Sequence, residues 1–486
     1  MLIRDNSVNK YLSLFYCFLL VVLMFRVFSN FILNAPLHFD EAQYWTWSRT
    51  IQWGYYSKPP LIAWLIKLNA GLCGNQESCL RLFSPLMHSI TAGVIFYTSY
   101  YLSKDIKTGI FSALLYLLMP GVTYSSFFIS TDVPLLMFAS ITGLLIIKMM
   151  ESESKDILSF IFLALCLSMG ILSKYAMFFF LVSIFISSLF SEKIKRLILS
   201  LKFFLLLLLV ITLISPHIFW NLKNNLVTFS HTFDNANTNN LKFNYFEPIF
   251  FIVSQFGVFG VFPLLVILLE THSLSKIKKL DEIQKVLVIW FIFPILCITV
   301  LALFSRANAN WAIVGYPFGC ILLGTIVFKN KLFKITSLSI FSQFFLTSVI
   351  LFFLLFENQI FNPLLKWNYA VSLSKEIRQE LKKDKNLGFI ADDREDYAHM
   401  LYYLRDLKIP MAKWNGDIKI DDHFELTTDT NSLSGLDIIF LTRTYPTPIM
   451  EKTSKKIIKL KSLEYKISNK KREYNIFLIR NWNSRK

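Results

Sequence analysis

The sequence predicts a polytopic α-helical membrane protein of about eleven transmembrane helices. Two interfacial helices occupy its first outer loop, and a small extracytoplasmic α/β domain closes the chain. Three observations carry this reading. Hydrophobic residues make up 54% of the 486, charged residues only 17%, and mean hydropathy is +0.49. Soluble globular chains hold about 45–50% apolar and about 25% charged residues, so the surplus here exceeds what a water-facing fold can bury. The apolar residues also gather into long runs joined by short basic loops, whereas residues 363–486 turn polar. A cytosolic enzyme, a disordered scaffold and a disulfide-rich secreted module are excluded.

A helix needs about 20 apolar residues to cross the hydrocarbon core. Runs of that kind lie near 12–33, 82–103, 108–127, 132–150, 157–173, 175–190, 197–219, 249–269, 284–304, 312–328 and 333–356. The first is too long for a signal peptide and lacks a small-residue cleavage site, so it reads as a retained anchor. With the N-terminus cytoplasmic, the short loops on that side hold 17 Lys and Arg against eight in the longer loops opposite. Positive residues collect on the cytoplasmic side, which supports this orientation. An odd number of spans then divides the chain into a membrane domain, 1–362, and an extracytoplasmic domain, 363–486. The net charge of +17 has a surplus of seven in 363–486 and ten in the remainder, much of the latter in loops facing anionic lipid. No basic helix or aromatic RNA-binding motif accompanies it, so no nucleic acid is expected.

Within 363–486, strand-like stretches at Leu387–Ala391, Leu436–Thr442, Ile457–Leu463 and Tyr474–Arg480 flank a helical stretch near Glu395–Leu404. That mixture predicts a small α/β domain. Cys17, Cys166, Cys297 and Cys320 fall inside apolar runs and read as packing residues. Cys73 and Cys79 share the first outer loop, where a disulfide is chemically allowed.

That loop, residues 34–81, is unusual for a connector. It holds His38, Asp40, Glu41 and four of the ten Trp, then Gly54-Tyr55-Tyr56-Ser57-Lys58-Pro59-Pro60. Asp40 is a candidate N-cap for a helix reaching Trp53 and ending at Gly54. Leu61, Trp64, Leu65 and Leu68 recur at helical spacing and predict a second short amphipathic helix. Both are expected to lie along the outer face, placing Asp40, Glu41 and Lys58 at the water–lipid boundary. Further charges stand near membrane depth: Arg26 in the first run, Asp132 in Ser130-Thr131-Asp132-Val133-Pro134, and Lys174 in Ser173-Lys174-Tyr175. Charges at such depth are costly unless they face a cavity or partner, which makes them functional candidates. Capping is an equal alternative for Asp132, with Pro134 in the first turn.

These motifs, taken in order, resemble a family. Asp40-Glu41-Ala42-Gln43-Tyr44-Trp45 followed by Gly54 to Leu61 is similar to the first periplasmic loop of the GT-C glycosyltransferases. The nearest branch is that of the protein O-mannosyltransferases and the lipid A aminoarabinose transferase. Ser130–Pro134, Ser173–Tyr175, Ser215–Asn221, Gln255–Gly257, Asn310–Ala312 and Tyr316-Pro317 extend the resemblance across residues 1–320. It implies transfer of a sugar from a polyprenyl-phosphate donor to a lipid, lipid A-type, or protein acceptor on the outer face of a bacterial-type inner membrane. By the same resemblance Asp40 is the general base or positions the acceptor, and Lys58 binds the donor phosphate. Asp132 is the second acidic residue, while Lys174 and Arg81 are further phosphate contacts. Glu41 is a substrate-binding candidate; Tyr55, Tyr56 and Trp45 stack on sugar or isoprenoid, or anchor the loop at the interface.

The family's aminoarabinose transferase has a metal-linked acidic residue before the lysine, and here that position is Ser57. Neighbouring helical residues diverge by about 100°, so Asp40 and Glu41 do not readily chelate one ion. His38, His217 and His231 match no common metal spacing. No obligatory metal or other cofactor is therefore predicted. The rival reading is a transporter with Arg26, Asp132 and Lys174 lining its path, but no internal repeat supports it. A scaffold that binds through its tail leaves the charges at depth unexplained.

Overall fold

The computed structural model describes residues 6–151, 156–235, 243–355, 363–384, 386–417, 419–444, 456–467 and 470–483. The bundle opens with α1 (Asn6–Leu33), then α2 (Phe39–Arg49), α3 (Leu61–Cys73) and α4 (Glu77–Leu80) in the first long loop. There follow α5 (Phe83–Ser103), α6 (Ile106–Leu117), α7 (Pro120–Ser125), α8 (Asp132–Glu151) and α9 (Ile157–Ser173). Next come α10 (Met177–Ser187), α11 (Glu192–Ile198), α12 (Leu201–Lys223), α13 (Val227–Asn235), α14 (Phe246–Phe259) and α15 (Val261–Thr271). The bundle closes with α16 (Leu274–Lys279), α17 (Glu282–Ala302), a 3₁₀ turn at Ala309–Gly315, α18 (Tyr316–Lys329) and α19 (Phe333–Leu355).

The eleven predicted runs are largely helical, but they do not all cross as single rods. Among the described residues seven helices are long and apolar enough to span, or nine if each of two bent pairs counts as one span. The run 249–269 breaks at Gly260 into α14 and α15, bent by 116°. Gly260 adopts φ +116°, and an added Cβ would stand 2.4 Å from Gln343, whose amide donates to the Phe259 carbonyl at 2.7 Å. Only glycine accepts that backbone without strain. The run 108–127 breaks before Pro120, which starts α7 because its ring fits a first helical turn and not the interior of a helix.

The first long loop differs from expectation at its cap. His38, not Asp40, caps α2: its ring nitrogen accepts from the Asp40 amide at 3.1 Å, while Glu41 accepts from the His38 amide at 2.9 Å. The reciprocal pair leaves the Asp40 carboxylate unused by the backbone. The helix ends at Arg49, short of Trp53. Cys73 and Cys79 are disulfide-bonded across the α3–α4 turn.

The C-terminal domain begins with a 3₁₀ turn, Pro363–Trp367, and the predicted boundary at 362 lies at the edge of 356–362, outside the described residues. After α20 (Asn368–Leu381) come β1 (Leu387–Ala391), α21 (Arg394–Tyr403), β2 (Met411–Lys413), α22 (His423–Thr427), β3 (Asp437–Thr442), β4 (Lys456–Ile467) and β5 (Lys470–Arg480). The sheet runs β2-β1-β3-β5-β4, with β1 parallel to β2 and β3 and with β5 antiparallel to β3 and β4. Every residue of β1 is buried, as expected of a central parallel strand covered on both faces.

This domain sits directly on the first loop. Trp45 meets Tyr402 edge-on at 5.1 Å, Tyr56 donates to the Ile420 carbonyl, and His399 contacts the Leu37 carbonyl at 3.1 Å. One apolar cluster therefore runs from α2 and α3 into the sheet. As a result α2 is covered on most sides, and seven of its residues are buried.

Candidate active site

A cavity of about 680 Å³ opens where the first loop, the α8 and α9 ends, α13, the Ala309–Gly315 turn and the C-terminal domain meet. Asp40, Lys58, Asp132 and Lys174, far apart in sequence, all line it. A narrower apolar extension of about 200 Å³ shares Lys58 and Lys174 and runs past Tyr175, Phe179, Ile298, Leu301 and Trp311.

Asp40 projects from the first turn of α2 with its side chain 44% exposed and His38 3.8 Å away. Lys58 stands partly buried before Pro59, and among the described residues no carboxylate lies within ion-pair distance of it. Burial, then the positive charge of Lys174, lowers its pKa below the usual lysine range, against the pull of Asp40 and Asp132. Asp132 opens α8 and pairs with Lys174 at 2.6 Å, while Asn310 donates to its second oxygen at 2.6 Å. His231 on α13 also faces the cavity, and burial, with Lys58 and Arg394 nearby, holds its pKa down at about 4. Its imidazole is thus neutral in ordinary conditions.

Glu41 and Arg81, expected as substrate and phosphate contacts, line the same cavity but are bonded to each other. Glu41 accepts from Arg81 at 2.9 and 2.6 Å, from the Ile129 amide and from the His38 amide. Arg81, 1% exposed, donates further to the Ala35 and Pro36 carbonyls. The pair ties the first loop to the bundle at the cavity floor, which both residues line. Trp45, Tyr55 and Tyr56 do not line the cavity. Tyr55 stacks on Trp47 with centroids 4.7 Å apart and donates to its carbonyl, while Trp45 donates to Asn75. Their aromatic surface is occupied by protein because the C-terminal domain covers them.

Arg26 does not share this cavity with Asp132 and Lys174. It donates to the Leu117 carbonyl at 2.6 Å and lines a separate apolar cavity between α1, α6 and α19, which separates the three charges of the transporter reading. Sequence reasoning missed Arg306, which donates to Asn235, and Arg394 from α21. Neither carries a local signal: Arg394 lies in Asp392-Asp393-Arg394-Glu395-Asp396, which reads as a solvated run. Among the described residues no three His, Cys, Asp or Glu side chains gather as a metal site would.

Over 407 residues, 80% of this chain and 82% of its relative, the sequence is 30% identical to the lipid A galacturonosyltransferase RgtD of Rhizobium johnstonii (strain DSM 114642 / LMG 32736 / 3841). The chain belongs to the GT-C family of polytopic membrane glycosyltransferases. Residues 57–220 of this glycosyltransferase match the dolichyl-phosphate-mannose-protein mannosyltransferase family, a stretch that holds Lys58, Asp132 and Lys174. Its fold is that of ArnT from Cupriavidus metallidurans in the apo state, with TM-score 0.65, 13% identity and coverage of 97% and 98% of the two chains. The same ArnT bound to undecaprenyl phosphate gives TM-score 0.64, 13% identity and coverage of 96% and 98%. The Archaeoglobus fulgidus oligosaccharyltransferase gives TM-score 0.51 at 12% identity, covering 81% of this chain and 63% of that one. The glycosyltransferase is thus a multi-pass membrane enzyme, with its cavity at the end of the bundle that carries the C-terminal domain.

Proposed function

We propose that the enzyme moves a uronic acid of the galacturonic type from a polyprenyl-phosphate carrier to a lipid A-type acceptor. The reaction takes place on the extracytoplasmic face of the inner membrane, with residues 363–486 outside and the N-terminus inside. The relative's activity supports the sugar and acceptor, and the loop charges support the orientation. The observation that carries the mechanism is Lys58: a cation with no carboxylate partner among the described residues, standing where a polar cavity meets an apolar slot.

A phosphate on Lys58 would lay its isoprenoid chain in the slot past Phe179 and Leu301 and present its sugar to Asp40. The acceptor oxygen attacks the anomeric carbon, and the bond from that carbon to the phosphate oxygen breaks with its electron pair. Asp40 takes the acceptor's proton or, for an acceptor that is already ionised, holds it in line. The Lys58 ammonium offsets charge growing on the leaving phosphate, a contribution of about 3–4 kcal/mol for a preorganised group. Asp132 holds Lys174 at the second side of the phosphate. Glu41, Arg81 and the three loop aromatics act as scaffold.

Purified enzyme in detergent, given a polyprenyl-phosphate uronic acid and lipid A, should form a product heavier by the sugar mass. Asp40→Asn should cut turnover at least about a hundredfold while donor binding persists, as removal of a general base does. Undiminished turnover in Asp40→Asn would remove the base assignment.

A further inference from the structure

We propose that Arg394, supplied by the C-terminal domain, binds the carboxylate of the transferred sugar and makes the enzyme selective for uronic acid donors. This rests on the reading that a uronic acid is moved. Asp393 caps α21 and fixes the turn from which Arg394 projects. Its guanidinium lies 5.3 Å over the ring of Phe39, the residue before Asp40, on the cavity wall. That stacking orients the planar fork without using its donors.

The charges around it are unbalanced. Five Lys and Arg side chains and three carboxylates line the cavity. Glu41 cancels Arg81 and Asp132 cancels Lys174, so Lys58, Arg306 and Arg394 face Asp40 alone, a surplus of two positive charges. A phosphodiester donor with a neutral sugar brings a single negative charge, whereas a uronic acid donor brings a second. Lys58 stands at the slot and suits the phosphate. Arg306 is already held by the Asn235 carbonyl at 2.7 Å and by its side chain. Arg394, half-buried, has no hydrogen-bond or ion-pair partner among the described residues. A guanidinium binds a carboxylate through two parallel hydrogen bonds, a geometry that a lone ammonium cannot match.

The test compares full-length enzyme on two polyprenyl-phosphate donors, galacturonic acid and the neutral galactose, with the same lipid A acceptor. Wild type should prefer the uronic acid. Arg394→Gln should lower kcat/KM for that donor about tenfold or more, chiefly through KM, and leave galactose transfer within about twofold, the scale of one lost charge-assisted hydrogen bond. Arg394→Lys should restore part of the preference. A wild type that uses both donors equally would overturn the uronic acid reading itself. A wild type that prefers the uronic acid while Arg394→Gln keeps the same ratio would overturn only the assignment of Arg394. Equal loss on both donors would also overturn it, and would move Arg394 to an acceptor phosphate or to the fold.

Discussion

Lys174, at the end of α9, closes a 2.6 Å ion pair on Asp132, the first residue of α8, and Asn310 secures the other carboxylate oxygen at the same distance. Three motifs separated by 178 residues thus meet on one carboxylate. Both charged side chains are 10–15% exposed, so removing one strands the other in a mostly dry site. Asp132→Asn and Lys174→Met should each destabilise the enzyme by up to about 3 kcal/mol, and the double variant should lose less than the sum. Thermal unfolding in detergent measures this coupling. Strictly additive losses would mean the two residues act separately.

Donor binding should weaken in alkaline solution sooner than an exposed lysine would cause. Burial and Lys174 lower the Lys58 pKa, so the ammonium loses its proton as pH rises through a value below the usual lysine range of about 10.4. Phosphate affinity is present below that value and is lost above it. Lys58→Arg keeps a charge beyond pH 12 or so, and its donor affinity should stay flat over the same interval. Donor titration from neutral to alkaline pH distinguishes them, and parallel profiles would remove Lys58 from the phosphate.

The carboxylates and ammoniums of this cavity were legible because charge near membrane depth is costly and therefore conspicuous. Asp40, Lys58, Asp132 and Lys174 all stood out in an apolar chain, and they share one cavity. What their neighbours do was not legible. Glu41 sits beside Asp40 in sequence yet turns away to Arg81, because helical neighbours point in different directions and the partner arrives from forty residues on. The pattern of Trp45, Tyr55 and Tyr56 suits stacking on sugar or isoprenoid, or anchoring at the interface, whereas their actual cover is a folded domain whose docking leaves no periodic trace. Within that domain β2 spans three residues, too few to alternate visibly, while β1 and β3 announce themselves as unbroken apolar runs. Hydropathy located the span over 249–269 but not its bend at Gly260, since averaging over a window hides one residue's backbone.

Breaking the Glu41–Arg81 pair should cost stability before it costs chemistry. Both side chains are at most 2% exposed, and Glu41 accepts four hydrogen bonds. Glu41→Gln leaves the Arg81 charge buried without its counter-ion, at a cost of about 3–5 kcal/mol. Arg81→Lys keeps the charge but loses the fork that reaches two carbonyls and a carboxylate, so it should not rescue. The check is the unfolding temperature beside the KM for donor. A variant of normal stability with selectively raised donor KM would instead place Arg81 on the phosphate.

Gly54 sets how closely the Lys58 loop rests on α12. A Cβ there would lie 2.4 Å from the Trp220 ring, closer than real Cβ contacts come. Trp220 cannot simply swing aside, because its indole donates to Gln52 at 2.9 Å, His217 contacts the Trp53 carbonyl at 2.6 Å, and Thr228 donates to the Tyr55 carbonyl at 2.7 Å. Those contacts fix the loop four residues before Lys58. Gly54→Ala must therefore push the loop away from the helix, costing about 1–3 kcal/mol as overpacking does. It should also raise the donor KM by moving Lys58. Shrinking the obstacle in Gly54→Ala/Trp220→Leu should recover part of the donor affinity even though the indole hydrogen bond is lost. If Gly54→Ala keeps wild-type KM and unfolding temperature, the fit between loop and helix does not set the position of Lys58.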